Sequence, residues 1–131
     1  MIDLYKKIPR VYVAGAYSAD NVMGVLNNMR RGMELATKVL LAGFAPFCPW
    51  YDYHYIILLR EGENLTVQDM YTYSINWLSV SDAVLLVPGW EKSVGTKMEI
   101  EVAVSLGIPV FEDLHDMIVW FGKEIGVKVG S

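Results

Sequence analysis

With 131 residues, 53% of them apolar and 20% charged, the chain has the length and composition of one globular domain rather than of a disordered tail. A formal net charge of −4, with 11 scattered Lys and Arg, excludes the basic stripe that binding to a nucleic-acid polymer demands, and no run of eighteen uncharged apolar residues offers a membrane span. Cys48 is the single cysteine, which excludes an intrachain disulfide and a cysteine-rich zinc cluster.

The opening residues, MIDLYKKIPR, lack the apolar core and cleavage site of a signal peptide, so a reducing cytoplasm is the expected compartment. Small molecules are the expected partners, with no nucleic-acid polymer and no membrane. A small anion remains compatible with the net charge, because backbone amides at a helix N-terminus bind phosphate.

Arg10 to Gly15 (RVYVAG) is a β-branched run ending at glycine and predicts a buried strand. Asp20 or Asn21 is placed to cap the next helix. Its apolar stripe is expected through Val22, Leu26, Met29, Met33, Ala36 and Leu40, and Gly43 ends it. Phe44 to Phe47 predicts a second strand. An aromatic segment from Trp50 to Tyr55 follows, then a polar stretch from Arg60 to Asn64. Thr66 is expected to cap a helix that reaches Ser81, with Met70, Tyr73, Trp77 and Leu78 facing inward. Ala83 to Val87 is an unbroken apolar run and predicts a central parallel strand. A helix from about Gly95 to Leu106, a strand from Ile108 to Phe111 and a helix from Leu114 to Ile125 complete the pattern. Alternating strands and helices predict one α/β domain over residues 1–131, a Rossmann-like (flavodoxin-like) three-layer fold with four to five parallel strands. Ligands of such sheets bind outside the carboxyl ends of the strands, which selects the loops 15–20, 47–55 and 88–96.

The segment Ser93-Val94-Gly95-Thr96-Lys97-Met98-Glu99 is the most informative in the chain. Gly95 permits close backbone approach, and Thr96 opens a helix whose free amides face the strand ends. Glu99 is expected in the first helical turn, where the macrodipole favours its ionised form and suits it to attack an anomeric carbon. Acidic residues also occupy first turns for the dipole alone. Glu101 is the rival. Two helical residues rotate a side chain by roughly 200°, so the two carboxylates face opposite ways and cannot act as a pair. Helix geometry alone does not choose between them. Asp82 precedes the third strand and can equally cap a turn. Tyr17 and Ser18 follow the first strand, where hydroxyls meet a sugar or phosphate, or simply water. The aromatic segment offers Trp50 as a base-stacking surface, or else a packed lid or interface core. His54 in that segment is either a proton donor or a packed ring, and neither it nor His115 has metal-ligand spacing to a partner.

Three stretches together carry a resemblance: Tyr12 to Tyr17 (YVAGAY), Trp77-Leu78 with Asp82 to Val87 (DAVLLV), and residues 93–111 (SVGTKMEIEVAVSLGIPVF). In order and spacing they resemble the nucleoside 2-deoxyribosyltransferase family, including 2′-deoxynucleoside 5′-phosphate N-hydrolases and CMP N-glycosidases. The resemblance covers nearly the whole chain and is weakest from Trp50 to Asn64. It implies Glu99 as nucleophile, Tyr17 as the residue that orients it, and Asp82 as a contact to sugar hydroxyls or a proton relay. Pro88-Gly89-Trp90 with Ser93 and Gly95 resembles a small phage and bacterial branch. Gly15, Ser18, Trp50, Trp90, Ser93, Gly95 and Thr96 are the expected substrate contacts. Ser93 stands where many transferases carry aspartate and matches the N-hydrolase branch, in which a serine meets the 5′-phosphate. Glu101 stands where the family often has glycine, and would repel phosphate if it faced the pocket.

The resulting expectation is a hydrolase that cleaves the N-glycosidic bond of a nucleoside 5′-monophosphate through a glycosyl-Glu99 ester, with no cofactor or metal. The alternatives are a nucleoside 2-deoxyribosyltransferase, a phosphoribohydrolase suggested by Pro88-Gly89 with Gly95-Thr96-Lys97, and a non-catalytic nucleotide sensor. A homodimer or larger homo-oligomer is expected because the aromatic segment is large for an exposed surface, and the resemblance implies a partner that lends residues to the site.

Overall fold

The computed structural model describes residues 4–125. In chain order they form β1 (Arg10–Ala14), α1 (Val22–Leu41), β2 (Ala45–Phe47), a 3-10 turn (Pro49–Asp52) running into α2 (Tyr53–Ile57), and α3 (Val67–Leu78). Then follow β3 (Ala83–Leu86), a second 3-10 turn (Trp90–Lys92), α4 (Val94–Ser105), β4 (Val110–Phe111) and α5 (Leu114–Ile125). The four strands pair in the order β2-β1-β3-β4, every pair parallel, with Tyr12 opposite Phe47 on one side and Val84 on the other. β2 lies on one side of β1 and β3 on the other. That reversal opens a crevice at the carboxyl ends of these strands.

Period-two alternation explains the layers. Val11 and Val13 of β1 and Leu85 of β3 face α1 and α5, packing with Ala36, Val39, Met117 and Phe121. Tyr12 and Ala14, with Val84 and Leu86, face α3 and α4 and meet Leu78 and Ala103. Both faces are covered, so β1 and β3 read as continuous apolar runs. The chain is a single-domain, three-layer α/β fold of the Rossmann-like kind. Among the described residues no helix is long and apolar enough to cross a membrane.

Caps set the helix boundaries. The Asn21 side chain accepts the Gly24 amide at 2.8 Å, and Gly43, at φ 99°, stops α1. Thr66 and Asp69 form a reciprocal capping box at the start of α3. Three local expectations differ from what forms. The α1 stripe holds in its middle, where Met29, Met33 and Ala36 pack on the core beside Gly32 and Val39, but not at its ends, where Val22 is 76% and Leu40 60% exposed. A 20-residue helix is about 30 Å long and overhangs a five-residue strand of about 17 Å at both ends. α3 stops at Leu78, and Trp77 is half-exposed, its ring stacked on Phe47 at 5.9 Å. β4 begins at Val110, because Pro109 accepts the Val84 amide through its carbonyl but has no amide to return.

Candidate active site

A cavity of about 370 Å³ opens at the carboxyl end of the sheet, on the face covered by α3 and α4. That volume is within the usual range for small-molecule sites. Its floor is β1 itself, with Tyr12 and Ala14, and the loop after it, with Gly15, Tyr17 and Ser18. The segment after β2 supplies one wall through Pro49, Trp50, Asp52, Tyr53 and Ile56. Val67, Met70, Tyr71 and Ser74 of α3 form another. Ser93, Gly95, Thr96 and Glu99, from the start of α4, close the third side.

Glu99 is 8% exposed and accepts a hydrogen bond on Oε2 from the Tyr12 hydroxyl. Burial pushes its carboxyl up to about 7, against the opposing pull of the Tyr12 bond. Burial and the neighbouring Glu99 carboxylate hold the Tyr12 phenol well above its ordinary range, so it remains a donor. The Ser74 side chain lies beside the Tyr12 hydroxyl and pulls the phenol the other way, so Ser74, Tyr12 and Glu99 follow one another from α3 through β1 to α4. The Tyr12 ring is fixed by stacking on Phe47 at 5.4 Å.

A second carboxylate faces the same cavity. Asp52 ends the 3-10 turn after β2, half-buried, and the Tyr17 hydroxyl donates to it. Burial raises the Asp52 carboxyl and the Tyr17 bond lowers it; Tyr17 is itself pushed up to about 12, by burial first and by Asp52 second. The cavity therefore holds two carboxyl groups on walls that flank the end of β1, each with its own tyrosine donor. No Lys, Arg or His of the described residues lines it.

The family model for a domain of unknown function, DUF4406, matches residues 9–112, which include every residue of the cavity. The chain belongs to the DUF4406 family. No curated protein matches it.

Placed on the DUF4406 fold, the expected site residues divide. Glu99, Tyr17, Gly15, Ser18, Trp50, Ser93, Gly95 and Thr96 come together around the cavity. Glu101 is exposed on the far side of α4, as the helical rotation required, and carries no charge into the site. Asp82 does not join them. It lies at the amino end of β3, where its carboxylate accepts the Arg10 amide at 2.8 Å and its own amide donates to the Arg10 carbonyl. The strand separates it from the carboxyl-end crevice by roughly 16 Å, at about 3.3 Å per residue. Trp90 is also elsewhere: it packs against the α4 side of the core, and its indole N–H donates to Glu112.

Other roles change while the residues stay. α4 starts at Val94, so Glu99 is in its second turn, where burial outweighs the dipole and raises the carboxyl instead of keeping it ionised. Tyr17 serves Asp52; the tyrosine on Glu99 is Tyr12. Ser93 is the N-cap of α4, its oxygen accepting the Thr96 amide at 3.2 Å and the Thr96 hydroxyl at 2.9 Å. Gly95 is needed because a Cβ there would lie 2.6 Å from the Tyr71 hydroxyl, so the close approach is to α3. Trp50 is buried, one face against Gly32 of α1 and its N–H on the Ala16 carbonyl, so it forms part of the wall. His54 stacks on Tyr51 outside the cavity, with Nδ1 3.0 Å from the Tyr51 carbonyl.

Proposed function

We propose that this DUF4406 protein cleaves the N-glycosidic bond of a nucleoside, with Glu99 as nucleophile. One observation carries the reading: a buried carboxyl, held by a tyrosine donor, lines a nucleoside-sized cavity at the switch point of a parallel sheet. With Oε2 fixed by Tyr12, Oε1 attacks C1′ of the sugar. The bonding pair leaves with the base, which takes a proton from water, and a glycosyl ester forms on Glu99. Water then attacks C1′ and releases the carboxylate and the free sugar. Interception of the ester by a second base makes the same site a deoxyribosyltransferase.

Charge favours the nucleoside over the nucleotide. Two carboxyl groups and no basic side chain among the described residues line the cavity, and Ser93 already uses the Thr96 amide at the mouth of α4. A phosphate dianion there faces repulsion that an uncharged nucleoside avoids. The 5′-monophosphate is the second reading, favoured by the first turn of α4 lining the same cavity. The resemblance to nucleoside 2-deoxyribosyltransferases supports the bond and the nucleophile in both. Incubation with matched nucleosides and 5′-monophosphates, followed by chromatography of the free base, tests the proposal. Base release from nucleosides is expected; release from neither series, with the sensor's tight binding in its place, overturns it.

Self-association belongs to the same proposal. Tyr51, Tyr53, Tyr55, Ile57 and Leu58 are exposed beside the cavity wall that Asp52 ends, and an apolar patch of that extent suits a second copy of the chain.

A further inference from the structure

The wall that carries Asp52 is otherwise apolar and aromatic. Tyr53 and Ile56 follow it, and Val67, Met70 and Tyr71 face the cavity from α3. Flat and apolar side chains of this kind suit a planar base, while the hydroxyls of Ser18, Ser93 and Thr96 lie at the ends of β1 and α4. The sheet order puts Glu99, after β3, on one side of the β1 end and Asp52, after β2, on the other. A nucleoside with C1′ at Glu99 and its base directed away from α4 therefore brings the base edge to Asp52.

An ionised carboxylate is an acceptor only, with about four lone-pair sites on two oxygens. Burial raises the Asp52 carboxyl, and Tyr17, which donates to it, occupies one site and favours the charged form against that shift. Tyr12, Cys48 and Tyr73 also feel the Asp52 carboxylate; burial first and that charge in addition push each of them up, so each is neutral near pH 7. None of them neutralises it. A ligand that displaces water from this carboxylate has to supply donors in its place. Two adjacent N–H groups pointing the same way meet a carboxylate as an arginine fork does. Among common bases this edge belongs to 2-amino-6-oxopurines, which present a ring N1–H beside an exocyclic amino group. Hypoxanthine lacks the amino group, and uracil and thymine flank their single N–H with carbonyl oxygens that the carboxylate repels.

We propose that Asp52, positioned by Tyr17, is the base-reading residue of the cavity and selects 2-amino-6-oxopurine nucleosides. This rests on the nucleoside reading above and names its base. It predicts that the carboxylate, through a bidentate contact, separates guanine from hypoxanthine by about tenfold to hundredfold in affinity.

Calorimetry with the Glu99→Gln variant, which binds without turnover, measures the affinities of 2′-deoxyguanosine, 2′-deoxyinosine, 2′-deoxyxanthosine and thymidine. 2′-Deoxyguanosine is expected to bind tightest, with thymidine weakest or undetected. Adding Asp52→Asn replaces one acceptor oxygen by a donor. The double variant should lose affinity for 2′-deoxyguanosine and gain it for 2′-deoxyxanthosine, whose edge pairs a donor with an acceptor. That inversion also distinguishes recognition from a folding defect, which weakens every ligand together. Equal binding of 2′-deoxyguanosine and 2′-deoxyinosine overturns the proposal. So does an equal loss for all bases in the double variant with an unchanged melting temperature, which puts Asp52 on the sugar. Guanine-selective binding with no base release by the unaltered protein leaves the base reading standing and rejects the Glu99 chemistry. Absence of binding by every nucleoside rejects both.

Discussion

The buried Glu99 carboxyl and the Tyr12 hydroxyl that donates to it both answer to pH. Glu99 is pushed up to about 7 from its ordinary 4.5, so between those values the folded protein keeps a proton that the unfolded chain has released. The stability this contributes is complete below about pH 4.5 and is lost as pH rises through 7. Glu99→Gln never ionises. The variant should therefore be more stable than the unaltered protein at pH 8, by about 3 kcal/mol at most, with the gap closing toward pH 5. Urea melts at the two pH values measure this, and equal stability at both would remove the burial argument. Tyr12→Phe keeps the ring stacked on Phe47 but deletes the bond that favours the Glu99 carboxylate. Because the proposed attack needs that carboxylate charged, the rising limb of the pH-rate profile should move to higher pH, with a lower rate at pH 7. An unmoved limb would show that the Tyr12 bond does not tune the nucleophile.

At the scale of elements, the helix α1 and the turn after β2 are tied by one close contact. A Cβ at Gly32 would lie 2.4 Å from the Trp50 ring, whose other side faces the cavity. Gly32→Ala is expected to push the indole off the helix, lower stability by about 1–3 kcal/mol and reduce ligand binding. A denaturant series read by tryptophan fluorescence checks both effects; a stable variant with native emission contradicts the packing described. The sequence announced α1 and its caps but not this contact, since a mid-helix glycine looks the same whether or not a ring lies on it. Asp82 shows the converse. An acidic residue just before a strand looks alike in a site or in a backbone brace, and here the Arg10 amide takes it. Asp52 was hidden because its segment folds as a 3-10 turn and a five-residue helix, too short for a periodic signal. Tyr12 was hidden inside an apolar strand, where a tyrosine reads as core.

For the whole molecule, alternation of strand and helix was enough to give the layers, the parallel sheet and the end of it where the cavity opens. β-Branched runs and cap residues are local signals and survive without tertiary information. The assignment of one tyrosine to each carboxylate depends on contacts across 87 positions of sequence for Tyr12 and Glu99, and no local pattern encodes that. The exposed aromatic segment leads to an expectation at this scale: light scattering at micromolar concentration should give the mass of a dimer or larger assembly, and Tyr55→Glu with Leu58→Glu should shift it toward monomer. A monomeric mass for the unaltered protein would assign the segment to a self-contained cover of the cavity.

In the proposed reaction Glu99 carries the sugar. Mixing the protein with a cleavable nucleoside, quenching in acid within a turnover, and weighing the intact protein and its peptides tests it most directly. The expected result is a mass gain of one sugar residue, located on the peptide that contains Glu99 and absent from the Glu99→Gln variant. Free base formed by a fully active Glu99→Gln variant, or a sugar adduct on any other residue, would contradict it.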